Sequence, residues 1–184
     1  QVPHDPKAFT QGLQTARGHE IFYESTGLYG ESSVRHVDIK SGRVLKKVDL
    51  EDRLFGEGLT YYIDSNGEER LVVITWQEQT GIVFDLDLNE IERFQYTTTN
   101  SEGWGITFNQ KTREFYVTDG TKFVHTWNTS WHEQKKVPVS FKRSDMKDHI
   151  EIPRVNEIEW DIFSDTLLAN VWFQDVILRV DVET

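Results

Sequence analysis

Residues 55–62 read FGEGLTYY and place one carboxylate, Glu57, between two glycines at the start of an apolar, aromatic run. A buried ionised carboxylate is costly unless it is paired, and glycine weakens a strand unless the backbone must bend or be approached closely. Three other segments share this form, a turn-like entry followed by a strand: FTQGLQTA (9–16), SEGWGITF (101–108) and RVNEIEWD (154–161). Aligning Gln11, Glu57, Trp104 and Asn156 gives successive spacings of 46, 47 and 52 residues, which is the sequence signature of a repeat architecture. The chain is therefore built from internal repeats.

Each of these segments is followed by a second and a third strand-like run, and in the first three repeats by a fourth. The runs alternate in polarity or are rich in β-branched and aromatic residues, with Gly, Asn, Asp and Ser between them. A four-stranded unit of this length is the signature of a β-propeller blade. We predict an all-β fold, a single propeller domain over residues 1–184 with repeats at approximately 8–50, 51–97, 98–141 and 150–184. The alternative is a generic β-sandwich with regularly spaced turns.

The composition is that of an ordinary globular chain, with 37% apolar and 28% charged residues. The 20 basic and 31 acidic residues give a formal net charge of −11, which argues against nucleic acid as a partner. A cationic substrate or simply a solvated acidic surface would account for this excess. The absence of cysteine excludes disulfides, thiolate metal sites and a cysteine nucleophile. No run resembles a membrane span or a signal peptide, so no membrane partner is expected.

Propeller geometry would bring the aligned segments together, because the first strand of each blade lines the central channel. We expect side chains from these strands and from the ends of the second strands to converge at one mouth of the channel: Phe9, Gln11, Phe55, Glu57, Trp76, Glu102, Trp104, Asp119, Asn156, Glu157, Asn170 and Trp172. Indole faces, amides and carboxylates at one place suit a small ligand with a cationic or amide group. The alternative is that these groups only satisfy neighbouring backbone groups and channel water.

Glu57 is the best candidate for chemistry at this mouth. Its isolation among apolar neighbours is expected to raise its pKa toward values useful for general acid–base catalysis, and its flanking glycines allow a substrate to come close. The six histidines are scattered, with no pair at metal-ligand spacing. No serine lies in a nucleophile elbow, and no glycine-rich phosphate loop precedes a helix.

A series of longer motifs occurs in a fixed order along the chain: FTQGL, ESTGLYGESSVRHVD, FGEGLT, the Thr75-Trp76 pair, SEGWGIT, VNEIEW and LANVW. From about residue 8 to the C-terminus these motifs resemble the plant- and bacterial-type glutaminyl cyclases, or glutaminyl-peptide cyclotransferases. The resemblance implies a five-bladed propeller that converts an N-terminal glutaminyl residue of a peptide or protein to pyroglutamyl and releases ammonia. It also implies that no catalytic metal or other cofactor is needed.

The resemblance further implies roles for particular residues. The family's catalytic glutamate lies in FGEG, which is Glu57 here, and its asparagine lies in the NE motif, which is Asn156 here. Glu57 would be the general acid and base, and Asn156 would position the amide and its oxyanion. The substrate-binding residues of the family match Phe9, Gln11, Phe55, Trp76, Trp104 and Trp172.

One departure from the family concerns length. The family has a fifth repeat with a lysine near the pocket, whereas this sequence stops at Thr184 within its fourth repeat. We therefore expect about four blades of a five-bladed fold in this chain. Three explanations stand side by side: a truncated form of a longer protein, a chain whose propeller is completed by a missing C-terminal fragment as its partner, or a genuine four-repeat variant.

Compartment and function carry further expectations. The resemblance suggests the secretory pathway or extracellular space, or the periplasm of a bacterium, and Asn128-Thr129-Ser130 would be a glycosylation sequon in a secretory lumen. Two rival hypotheses stand beside the cyclase. One is a non-catalytic propeller that binds peptides or a partner through its channel mouth. The other is a metal-dependent, lactonase-like hydrolase that uses Glu57, Asn156 and another carboxylate of the inner strands as ligands.

Overall fold

The structure is a computed structural model that describes residues 3–16, 18, 20–142 and 148–182. Within these ranges the chain forms strands, turns and irregular segments, and no helix occurs. The two ends of the predicted domain, residues 1–2 and 183–184, lie outside the described residues. Among the segments that the structure describes, no helix is long and apolar enough to cross a lipid bilayer.

Four antiparallel sheets follow one another along the chain, and in each the strands pair in sequence order. Sheet 1 consists of β1 (Thr10–Thr15), β2 (Ile21–Thr26), β3 (Ser33–Asp38) and β4 (Val44–Asp49). Sheet 2 consists of β5 (Gly56–Ile63), β6 (Glu69–Thr75), β7 (Thr80–Phe84) and β8 (Glu90–Gln95).

The second half of the chain repeats this pattern. Sheet 3 consists of β9 (Ile106–Asn109), β10 (Glu114–Thr118), β11 (Phe123–Trp127) and β12 (Glu133–Pro138). A short ribbon of β13 (Ser140–Phe141) and β14 (Ile150–Glu151), which the sequence did not predict, precedes sheet 4. Sheet 4 consists of β15 (Val155–Asp161), β16 (Thr166–Val171) and β17 (Ile177–Val180).

Apolar side chains form one core at each junction between consecutive sheets. In β6, for example, Leu71 and Val73 pack into the core shared with sheet 1, whereas Val72 and Ile74 pack into the core shared with sheet 3. Successive side chains of a strand point to opposite faces, so a strand between two cores must be apolar throughout. This requirement explains the continuous apolar run LVVI in the middle of sheet 2.

The first strands of the sheets are also neighbours: β1 contacts β5, β5 contacts β9, and β9 contacts β15. Sheets that pack face to face while their first strands lie side by side around an axis are the blades of a β-propeller. The predicted propeller fold is therefore confirmed, with four blades in this chain, and the sandwich alternative is wrong.

A β-bulge interrupts the first strand of three sheets close to its start. The strand register shifts between Thr10 and Gly12, between Gly56 and Leu59, and between Val155 and Ile158. A bulge adds one residue opposite the partner strand and re-aims the side chains around it. The bulges contain Gln11, Glu57 and Asn156, which are three of the four positions aligned in the sequence.

Candidate active site

A pocket of about 290 Å³ opens at the end of the channel where the first strands begin. The eight residues that the sequence predicted as catalytic or substrate-binding all line it: Phe9, Gln11, Phe55, Glu57, Trp76, Trp104, Asn156 and Trp172. The structure thus brings all of the predicted site residues together at one place. Their individual roles remain predictions.

Equivalent places in the blades supply these side chains. Gln11, Glu57 and Asn156 lie in the bulges of the first strands. Trp76 and Trp172 come directly after the second strands β6 and β16. The pocket is therefore built from the two inner strands of each blade, at the end of the blade where those strands meet.

Aromatic rings form two walls of the pocket. On one side Phe55 contacts Phe9 and Trp76 edge-on, with ring centroids 6.2 and 5.6 Å apart. On the other side Trp104 contacts Trp172, with centroids 6.3 Å apart. Such edge-to-face contacts hold the rings in fixed orientations. The walls can therefore confine a flexible aliphatic side chain between them.

Trp104 depends on a glycine behind it. Gly120 has a φ of +75°, and a Cβ atom there would lie only 2.4 Å from the Trp104 ring. Glycine is the residue that adopts this backbone conformation without strain. Both the turn after β10 and the position of the indole thus require Gly120.

The Glu57 carboxyl is the ionisable group of the pocket. The residue is 8% exposed. Burial, reinforced by the negative charges of Glu102 and Glu78, raises the pKa of Glu57 to about 9. A carboxyl with this pKa is neutral at neutral pH, so it can give a proton to a substrate and later take one back. The sequence-based expectation of a raised pKa agrees with this environment.

The two neighbouring carboxylates hold the aromatic walls in place. Trp104 Nε1–H donates to Glu102 Oε2 at 2.8 Å. Tyr29 donates its hydroxyl proton to Glu78 Oε1 at 2.8 Å, and its ring contacts Phe55 at 5.4 Å. Sequence reasoning missed Tyr29 and Glu78, because both belong to loops outside the aligned segments.

Asn156 lines the same pocket as Glu57, from sheet 4 rather than sheet 2, and is 8% exposed. Its backbone carbonyl accepts a hydrogen bond from the Thr118 hydroxyl at 2.7 Å. Glu157, the next residue, does not line the pocket. It lies in the channel beneath the pocket, where its Oε2 is 2.8 Å from the position that a Cβ on Gly58 would take. The expectation that Glu157 reaches the mouth is therefore wrong.

Glu157 is nevertheless unusual. Its Oε2 is buried, and none of the described residues gives it a hydrogen bond. Burial and the charges of Glu159 and Glu57 raise the pKa of Glu157 well above its usual range. A second buried carboxyl with a raised pKa thus lies below the pocket.

Asp119 and Asn170 do not line the pocket either. Asp119 is fully buried, and its carboxylate accepts hydrogen bonds from the backbone N–H of Asn100 at 2.9 Å and from the ring of His125 at 3.1 Å. Its role is to hold the loop that precedes Trp104. Among the residues that the structure describes, no group of three His, Cys, Asp or Glu side chains is arranged to hold a metal ion.

Comparison with known proteins gives matches along the whole of this chain. The sequence matches the glutamine cyclotransferase family over residues 1–184. It is 35% identical over 181 residues to the glutaminyl-peptide cyclotransferase of Arabidopsis thaliana, an alignment that covers 98% of this chain and 51% of that protein. The chain thus spans about half the length of this curated relative.

Solved structures show the same fold. The crystal structure of Myxococcus xanthus glutaminyl cyclase superposes with a TM-score of 0.81 at 25% identity, covering all of this chain and 70% of that one. A virginiamycin B lyase from Staphylococcus aureus superposes with a TM-score of 0.58 at 12% identity, covering 97% of this chain and 57% of that one. The second similarity is one of fold alone.

Proposed function

Because this chain belongs to the glutamine cyclotransferase family, we propose that it cyclises the N-terminal glutaminyl residue of peptides and proteins to pyroglutamyl and releases ammonia. The observation that most supports this proposal is a neutral, buried carboxyl, Glu57, that shares with Asn156 a pocket with aromatic walls. Cyclisation needs one group that can both give and take a proton, and a dry pocket that holds a short amide side chain.

The state of the substrate amine follows from the burial of Glu57. An α-amino group has a pKa of about 7.7–8 in water, whereas the pKa of Glu57 is about 9. When the two share one proton, the carboxyl therefore holds it and the amine stays neutral. Burial favours this arrangement, because it penalises an ammonium–carboxylate pair relative to two neutral partners. The amine is then free to act as a nucleophile.

The proton movements balance around Glu57. The amine nitrogen attacks the γ-carboxamide carbon and forms the ring C–N bond. Glu57 donates its proton to the amide nitrogen, and the bond from that nitrogen to the carbonyl carbon breaks as ammonia leaves. The Glu57 carboxylate then takes the surplus proton from the ring nitrogen and is neutral again. No proton enters or leaves overall.

Asn156 and the aromatic walls assist the attack. The Asn156 amide donates a hydrogen bond to the carbonyl oxygen as that oxygen gains negative charge. The walls of Phe55 and Trp76 and of Trp104 and Trp172 keep the glutaminyl side chain folded toward its own amine. Intramolecular attack gains greatly when the reacting atoms are held close together.

Ammonia release tests the proposal directly. The protein is incubated with a peptide that begins with glutamine and with the same peptide beginning with glutamate, and ammonia and peptide mass are followed. We expect ammonia and the corresponding mass loss from the glutamine peptide only, and at least a hundredfold lower rate for Glu57→Gln, about the contribution of general acid–base catalysis. Glu31→Gln, at an exposed residue that does not line the pocket, is the matched control.

Two results of this experiment would reject the cyclase function in favour of one of the alternatives. Binding of the glutamine peptide without any ammonia would leave a peptide-binding propeller. Activity that disappears with EDTA and returns with a divalent metal would favour the metal-dependent hydrolase.

We also propose that the protein works in the secretory pathway or extracellular space, or in the periplasm of a bacterium, as its family resemblance suggests. Asn128 begins the turn between β11 and β12, and its Oδ1 accepts the backbone N–H groups of Ser130 and His132 at 2.9 and 3.1 Å. The Nδ2 atom is the one that a glycan would modify. Expression in a eukaryotic secretory host should give a protein whose mass falls on treatment with endoglycosidase, and Asn128→Gln should remove that shift.

A further inference from the structure

A chain of hydrogen bonds crosses the blades directly beneath the pocket. It starts at Ser25, whose Oγ–H donates to the backbone carbonyl of Glu57 at 2.5 Å. The same peptide unit continues it, because the N–H of Gly58 donates to the backbone carbonyl of Trp104 at 2.7 Å. Sheets 1, 2 and 3 are joined in this way at the level of the site.

The chain continues into sheet 4. The N–H of Gly105 donates to Thr118 Oγ1 at 2.8 Å, and the Thr118 hydroxyl donates onward to the backbone carbonyl of Asn156 at 2.7 Å. We call this series the peptide belt: the Ser25 hydroxyl, the 57–58 peptide, the 104–105 peptide, the Thr118 hydroxyl and the Asn156 carbonyl. Its members carry three pocket side chains, those of Glu57, Trp104 and Asn156.

Glycine makes the peptide belt possible. A Cβ on Gly58 would lie 2.7 Å from the backbone nitrogen of Ile106, and a Cβ on Gly105 would lie 2.6 Å from the backbone oxygen of Asn156. Both distances are too short for real carbon contacts, so only glycine lets the neighbouring backbones approach. The two glycines after Glu57 and Trp104 are therefore part of the belt.

The two hydroxyls that close the belt are sealed from water, since Ser25 and Thr118 are both 0% exposed. Both lie on second strands, and each reaches across a blade boundary to a residue of the next blade. A buried hydrogen bond of this kind fixes its partners, because breaking it leaves a polar group without water. In each case the partner is the bulged backbone of a residue assigned to chemistry.

We propose that Ser25 and Thr118 are positioning residues, whose hydroxyls act through the peptide belt to fix the Glu57 carboxyl relative to the Asn156 amide and the Trp104 wall. The inference rests on the proposed cyclase function and adds two residues that do not line the pocket. A small displacement of catalytic groups lowers the rate of a positioned reaction steeply, by about a hundredfold for 1 Å. The same displacement should change the affinity for the substrate, which is bound between the aromatic walls, much less than it changes the rate.

Turnover of a glutamine peptide provides the first test. We expect Ser25→Ala and Thr118→Val each to lower kcat by about 10- to 100-fold, with KM within about twofold of the original. Thr118→Ser keeps the hydroxyl and should restore most of kcat. Thr126→Val removes an equally buried hydroxyl from β11 in the same sheet, outside the belt, and should leave kcat unchanged.

The double variant separates positioning from ordinary destabilisation. Ser25 and Thr118 lie on β2 and β10, in blades that are not neighbours, so independent effects would multiply. If the belt acts as one unit, the loss in kcat for Ser25→Ala/Thr118→Val is smaller than the product of the single losses. Circular dichroism melts confirm that each variant is folded before the rates are compared.

Amide hydrogen exchange supplies a measurement that does not depend on activity. Thr118→Val should speed exchange at Gly105, and Ser25→Ala should speed exchange at Gly58, with Thr126→Val affecting neither. Faster exchange with an unchanged kcat would overturn the proposal, as would unchanged exchange at both glycines. If the unsubstituted protein releases no ammonia, the cyclase function is overturned instead. The exchange rates at Gly58 and Gly105 would still test whether the two hydroxyls hold the peptide belt.

Discussion

Replacing Glu57 by glutamine should stabilise the protein, and increasingly so as the pH rises. The pKa of Glu57 is about 9 in the folded protein, against 4.5 for an ordinary glutamate. Below pH 4.5 the carboxyl is protonated in both states and costs nothing. Between 4.5 and 9 the unfolded chain loses the proton while the folded chain keeps it, so the unfolded state is favoured more with each pH unit. Glutamine has no proton to lose, so the variant escapes this cost.

The magnitude follows from the two pKa values. Each unit of difference is worth about 1.4 kcal/mol, so the cost of Glu57 reaches about 3 kcal/mol at pH 7. Between pH 5 and pH 7 the advantage of Glu57→Gln should grow by about 2.5 kcal/mol. Because the residue is 8% exposed, screening by solvent reduces this value little.

Urea denaturation at pH 5, 6, 7 and 8 measures the effect. The free energy of unfolding of Glu57→Gln should exceed that of the parent by an amount that rises with pH, while Glu31→Gln controls for the change in net charge. A difference between Glu57→Gln and the parent that stays constant over this range would refute the reasoning, since it would mean that burial does not hold the proton on Glu57.

Two other predictions concern rate and packing. The kcat/KM for a glutamine peptide should follow a bell-shaped pH profile. It should fall below about pH 8 as the substrate amine is protonated and above about pH 9 as Glu57 ionises. Glu102→Gln removes a negative charge that raises the pKa of Glu57, so this variant should move the alkaline limb to lower pH. Gly58→Ala should lower the free energy of unfolding by about 1–3 kcal/mol, measured in urea, because its Cβ would lie 2.7 Å from the Ile106 nitrogen and 2.8 Å from Glu157 Oε2. An unaltered alkaline limb or a fully stable Gly58→Ala would contradict these two accounts respectively.

The fold and the pocket lining could be predicted because the strand pattern and the pocket positions recur at a nearly regular interval along the chain. Segments such as FGEGLTYY and RVNEIEWD recur in phase, and a propeller brings equivalent positions to one axis. The motif resemblance then singled out the pocket residues from the larger set at the channel mouth. Glu57 and Trp104 could be placed without knowing any contact between blades.

The contacts between blades could not be predicted in this way. Ser25 and Thr118 are ordinary strand residues in the sequence, and their partners are backbone atoms 32 and 38 residues away. Tyr29 and Glu78 lie in loops whose course is set by tertiary packing. The spacing of repeats along the chain does not show how far neighbouring blades are shifted against each other along the channel axis. The hydrogen bonds of Ser25 and Thr118 and the contacts of Tyr29 and Glu78 depend on that shift.

Glu157 shows a second reason why the site could not be fully predicted from the sequence. The repeat correctly aligned its neighbour Asn156 with Glu57, and the bulge then directed the two consecutive side chains to different levels of the channel. A simple two-residue alternation does not describe a bulged strand. The sequence carries no clear signal for which bulge residue faces the pocket.

The bulges also make the length of the inner strands a functional property. A regular ladder would accept β5 with one residue fewer, because the partner strand has no residue opposite the extra one. Residues on either side of such a deletion would keep their partners on β6, because Gly56 already pairs with Thr75 and Leu59 with Val73. The bulge that re-aims the Glu57 side chain would be lost, and that side chain would no longer be directed into the pocket. A one-residue deletion at 57–58 could therefore leave a folded propeller that has lost its site, whereas point substitutions nearby change only one group. The geometry of the site therefore depends on the number of residues in β5 as well as on the identity of residue 57.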